Sequence, residues 1–131
     1  MKPRYLLDTH IVIRWVSEPR KLSRAHYRIL ETSVSRSEPV GLSAVSLLEV
    51  AALAESGRIR ASLPEIFDFL QAEPVFEILP ITYEIASEVS AIRALRDPAD
   101  RAIVATARVH GLRLITSDQR IIASNLVPVV E

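Results

Sequence analysis

The chain has 131 residues, 16 basic and 16 acidic, and 49% of it is hydrophobic. That length suits one domain, residues 1–131, around one well-filled core, and the balanced charge neither demands nor excludes a polyanionic partner. The lack of cysteine excludes disulfides, thiol catalysis and thiolate metal sites and fits a cytoplasmic setting; no apolar run reaches the roughly 20 residues of a membrane span, and an N-terminus charged by Asp8 is not a signal peptide.

Tyr5-Leu6-Leu7 reads as a short buried strand running into Asp8, followed by a short helix from Ile11 to Val16. Ser23 caps a helix to about Val34. Val40-Gly41-Leu42 is a second strand, and Ser43 caps a helix to about Ser56 that Gly57 terminates. Pro64 marks the first turn of a helix to about Gln71. A third strand runs from Val75 to Leu79, closed by Pro80. Thr82 caps a helix to about Leu95, and Asp97 and Pro98 open another that ends at Gly111. A fourth strand, Leu112 to Ile115, leads to Thr116-Ser117-Asp118, a short helical turn, and a last strand over Val127 to Val130. Short apolar strands alternating with helices predict a three-layer α/β fold around a buried parallel sheet. Such sheets place their sites beyond the carboxyl ends of the strands.

Carboxylates stand at those ends. Asp8 closes the first strand and Asp118 follows the fourth. Each is equally readable as the N-cap of the helix behind it. Glu49 is the lone charge in an apolar stretch from Leu42 to Ala54, which reads as a buried helix. A carboxylate there costs several kcal/mol unless it is paired, protonated or bound to a cation. In Asp97-Pro98-Ala99-Asp100 the first acid fits a cap and the second a capping-box position or a site. Four acids meeting at one sheet edge would repel one another, and a divalent cation relieves that repulsion. Oxygen ligands without His or Cys favour magnesium or manganese, the metals of phosphate chemistry.

The segments Leu6-Leu7-Asp8-Thr9-His10, Leu42 to Glu49, Leu79-Pro80-Ile81-Thr82, Asp97 to Ala107 and Leu114 to Asp118, in this order and spacing, resemble the PIN domain, and within it the VapC-type toxins of prokaryotic toxin–antitoxin pairs. The likeness spans nearly the whole chain. It implies a four- or five-stranded parallel sheet and cleavage of single-stranded RNA with Mg2+ or Mn2+. Asp8, Glu49, Asp100 and Asp118 match the family's acidic quartet as catalytic and metal-binding residues. Thr9, Thr116 and Ser117 match supporting hydroxyl positions. It also implies a homodimer and a cognate antitoxin whose tail blocks the groove.

His10, His26 and His110 have no metal-ligand spacing. Arg14 and Trp15 suit RNA or antitoxin contact, although core or dimer packing is the preferred reading of Trp15. Arg20, Lys21, Arg24 and Arg28 suit either a phosphate backbone or an ordinary solvated face. A phosphate-accepting receiver domain and an aspartate-nucleophile phosphatase both need a late lysine, and the only lysines are Lys2 and Lys21. A non-catalytic module binding a partner or RNA on the same fold is the remaining alternative.

Overall fold

The computed structural model describes residues 1–131. Five short strands, β1 (Tyr5–Leu7), β2 (Val40–Ser43), β3 (Phe76–Leu79), β4 (Arg113–Ile115) and β5 (Val129–Val130), form one parallel sheet in the order β3-β2-β1-β4-β5. Seven helices connect them: α1 (Thr9–Ser17), α2 (Arg24–Ser35), α3 (Ala44–Glu55), α4 (Leu63–Ala72), α5 (Tyr83–Ala91), α6 (Pro98–His110) and α7 (Gln119–Ser124). A 3-10 turn at Pro19–Lys21 joins α1 to α2.

Successive residues of a strand face opposite sides of the sheet, and β1 shows why this one has two cores. Leu6 is fully buried against α5, α6 and α7 with Ile85, Ile103, Leu114 and Ile121. Leu7 is fully buried on the other side with Ile11 of α1, Leu30 of α2, Val50 of α3 and Ile66 of α4. Both faces being covered explains the unbroken apolar runs of the strands. Gly41 leaves little room for a side chain in β2: a Cβ there would lie 3.1 Å from Leu79 Cδ1 and 3.3 Å from the Tyr5 carbonyl.

The chain passes from central β1 to β2 and β3 on one side, then returns through α6 to β4 on the other. This reversal opens a crevice beyond the carboxyl ends of β1 and β4. The amide of Asp8 donates to Ile115 O at 3.0 Å, locking those two strand ends together.

Three expectations need correction. The helix begun at Thr82 stops at Ala91, not near Leu95, because Ile92 and Leu95 turn into the core as a connecting segment. The last strand is only Val129–Val130; Val127 packs in the core before it. The largest difference concerns α3. Only Ser46 and Val50 are buried, and Leu48 is 71% exposed. The outer side of this apolar helix therefore lies open in the single chain instead of being enclosed by the core.

Candidate active site

Asp8 is 5% exposed, and both its oxygens are held. Thr9 N donates to Oδ1 at 2.8 Å and Thr116 Oγ1 donates to Oδ2 at 2.7 Å. The acid therefore caps α1 and bridges β1 to the segment after β4 at once. Thr116 in turn accepts from the amide of Asp118 at 3.0 Å. Burial raises the Asp8 carboxyl above its ordinary range; the Thr116 and Thr9 hydrogen bonds oppose that, and the Asp118 charge adds to it.

Glu49 reaches the same place from α3. Thr9 Oγ1 donates to its Oε1 at 2.5 Å. Thr9 Oγ1 also lies 2.8 Å from Ser46 Oγ. A hydroxyl has one proton, so with Thr9 donating to Glu49, Ser46 donates to Thr9. Thr9 and Ser46 are both 1% exposed. Glu49 itself is half-buried; burial raises its carboxyl, and the Asp8 and Asp97 charges raise it further. Among protein groups it finds a hydroxyl rather than an arginine.

Asp118 caps α7, accepting from Arg120 N at 2.9 Å and Ile121 N at 3.4 Å, while its Oδ2 stands 3.5 Å from Arg120 Nη2. Asp97 caps α6 through Asp100 N at 3.3 Å. The side chain of Asp100 makes no hydrogen bond or ion pair within the chain. Its pKa is pushed up to about 7, first by burial and then by the charges of Asp97, Asp118, Asp8 and Glu49. The other three expected acids, and Asp97, thus all lie within electrostatic reach of Asp100. For Asp8, Asp97 and Asp118, capping and clustering turn out to be compatible, since a capping carboxylate at a strand end also faces the crevice.

The donor set fits a divalent cation. It is all carboxylate oxygen, it carries excess negative charge, and Asp100 has no protein partner to neutralise it. No three of the acids stand close enough together to form a direct three-ligand cage. An ion held here would therefore be bound through one or two carboxylates directly and reach the other acids through its waters.

Some participants escaped the sequence reading. Ser46 is one; a hydroxyl three residues before Glu49 on the same helix face was the available signal. His10, which the sequence already placed near Asp8 with a structural role at least as favoured, is exposed, and its charge favours the ionised forms of both Asp8 and Glu49. Arg96 and Arg120 line a recess of about 210 Å³ with Asp97 and Asp100. Arg14, a candidate for RNA or antitoxin contact, donates through Nη1 to Ser117 Oγ at 2.9 Å. Trp15 packs tilted on Tyr27 at 5.7 Å, with Nε1 buried and unpartnered, which is a packing role.

Residues 5–124 match the PIN domain family. Over 118 residues, 88% of each chain, the sequence is 36% identical to Ribonuclease VapC22 of Mycobacterium tuberculosis. The structure is similar to a toxin-antitoxin complex from Klebsiella pneumoniae, with a TM-score of 0.68 at 26% identity, covering 97% of this chain and 96% of that one. It is also similar to VapBC2 from Rickettsia felis bound to a DNA fragment from their promoter, with a TM-score of 0.74 over 96% of each chain. At 14% identity this last likeness is one of fold.

Proposed function

We propose that this chain, which belongs to the PIN-domain family, is one PIN domain over residues 1–131 that uses Asp8, Glu49, Asp100 and Asp118 to hold Mg2+ or Mn2+ and hydrolyse RNA. It is an endoribonuclease, the toxin of a toxin–antitoxin pair, with an antitoxin partner and a dimeric state. The observation that carries the site assignment is the unpartnered Asp100 carboxyl, pushed up to about 7 among Asp97, Asp118, Asp8 and Glu49. No helix is long and apolar enough to cross a membrane, and we place the protein in the cytoplasm, where RNA is available.

Held by these acids, a divalent cation would activate a water and neutralise charge at the phosphorus and the leaving oxygen. The chain's own residues supply the positioning. Asp8 is fixed by Thr9 N and Thr116 Oγ1, and Asp118 by the first amides of α7. Glu49 is aimed by the Ser46–Thr9 hydroxyl pair. Ser117 holds Arg14 beside the strand ends, where its guanidinium is available to a phosphate oxygen. Such preorganisation removes the reorganisation that free carboxylates would undergo.

The test is to incubate protein freed of co-purified antitoxin with single-stranded RNAs, Mg2+ or Mn2+. Cleavage should stop with chelator and in Asp8→Asn and Asp100→Asn. Cleavage that survives chelator and both substitutions rules out the assigned site. RNA binding with no hydrolysis under any metal identifies a non-catalytic module instead.

A further inference from the structure

We infer that the recess between the end of α1 and the connection from α3 to α4 is a second RNA subsite, which takes the phosphodiester backbone of the substrate strand away from the acidic cluster. This rests on the ribonuclease reading.

The recess has a volume of about 430 Å³ and is lined by Ser17, Glu18, Lys21, Arg58, Ile59 and Arg60. Lys21, Arg58 and Arg60 share its walls with one carboxylate, Glu18. Lys21 Nζ pairs with Glu18 Oε2 at 2.8 Å. The Lys21 hydrogen bond and the charges of Lys21, Arg60 and Arg14 hold the Glu18 carboxyl below its usual range. Arg58 and Arg60 make no ion pair within the chain. Positive charge is therefore left over for a polyanion. Apart from Ile59 the walls are polar, which suits a phosphodiester chain better than a protein segment that needs apolar anchors.

The geometry is built in. Gly57, at φ 74°, closes α3: Arg58 N donates to Leu53 O at 2.9 Å and Gly57 N to Ala54 O at 3.2 Å. The chain then alternates. Ile59 packs on the core and Ala61 is 8% exposed, while Arg58 and Arg60 point outward. The sequence suggested a basic face of Arg20, Lys21, Arg24 and Arg28; of these only Lys21 joins the recess.

A path links the recess to the site. α1 starts beside Asp8 and ends at Ser17, nine residues on, or about 13 Å of helix. Arg14 lies between, held by Ser117 next to Asp118. A strand threaded along α1 thus meets the acidic cluster, Arg14 and the recess in turn, a few nucleotides apart.

The test uses full-length wild type and an Arg58→Gln/Arg60→Gln variant, with matched melting curves. Binding of a fluorescent, non-cleavable 2′-O-methyl single strand is titrated in chelator across salt. The variant should bind on the order of tenfold more weakly, and its slope of log K against log salt should be shallower by about 1.4, for two phosphate contacts. With metal, KM should rise and kcat hold on long RNA, with no change on RNA short enough to cover only the acidic cluster. Equal affinity and slope in the two proteins overturns the subsite. Cleavage by wild type that ignores the substitutions defeats this inference alone. Salt-dependent binding that needs the arginines, without cleavage by wild type, defeats the ribonuclease reading alone.

Discussion

Thr9 Oγ1 donates to Glu49 Oε1 across 2.5 Å, joining the start of α1 to the middle of α3, 40 residues away in sequence. Thr9 is thus a positioning residue: it orients one acid through its hydroxyl and another, Asp8, through its amide. Thr9→Val keeps the amide and removes the hydroxyl. The variant should bind divalent metal roughly 10- to 100-fold more weakly, the usual loss for a group that orients a ligand. Thr9→Ser should recover most of it. Mn2+ titration followed by calorimetry checks both, and equal affinity in Thr9→Val would refute the role.

Asp100→Asn should separate stability from activity. The carboxyl has no protein partner and is held near pH 7 by burial and like charges, so its ionised form destabilises the metal-free fold. The amide should raise the melting temperature of the metal-free protein at pH 8. Cleavage should fall about 10³-fold, because several kcal/mol of metal-assisted stabilisation are lost. Differential scanning fluorimetry in chelator and a gel-based cleavage assay are sufficient; a lower melting temperature than wild type at pH 8 contradicts the electrostatic argument.

The pH dependence follows from the same charges. Asp100 has a folded pKa of about 7 against an ordinary 3.8, and burial also raises Asp8 and Glu49. A raised acid binds its proton more tightly when folded. Its contribution to stability is fully present below the unfolded pKa and is lost as pH rises through the folded one. Metal-free protein should therefore lose stability progressively from about pH 4 to about pH 7 and little more above that, and Asp100→Asn should flatten that slope. Added Mg2+ or Mn2+ should stabilise more at pH 8 than at pH 6, since protons compete for the same oxygens. Melting curves over pH, with and without metal, measure this; a metal effect larger at pH 6 contradicts it.

Gly41→Ala tests the sheet rather than the site. The new Cβ would meet Leu79 Cδ1 at 3.1 Å and the Tyr5 carbonyl at 3.3 Å, so β1, β2 or Leu79 must shift. Overpacking of this kind costs about 1–3 kcal/mol, measurable as a lower urea midpoint at unchanged slope. Unchanged stability would mean that β2 yields without effort.

Much of the architecture was legible because it is written locally. Apolar triplets bounded by capping residues marked β1, β2 and the starts of α2, α3 and α6; Ser23, Ser43 and Asp97 all cap as their positions suggest. The end of α5 was misjudged because an apolar helical pattern runs through Ile92 and Leu95, two residues that the core claims after the helix has stopped. The exposure of Leu48 was illegible for a related reason: an apolar helix looks buried whether its own chain or a partner covers it.

The sequence by itself determined the alternation of strand and helix, the positions of the four acids relative to strand ends, and the resemblance that named the chemistry. These depend on residue type and short spacing. Only the tertiary structure decided how the acids are held. Glu49 is aimed by Thr9 and Ser46, Asp8 by Thr116 across 108 residues, and Arg14 by Ser117 across 103. It also brought Lys21 against Arg58 and Arg60. Such contacts arise from the order β3-β2-β1-β4-β5, which makes neighbours of segments far apart in the chain. A carboxylate's position in sequence says which edge it occupies; its charge, partners and pKa belong to whatever the folded sheet sets beside it.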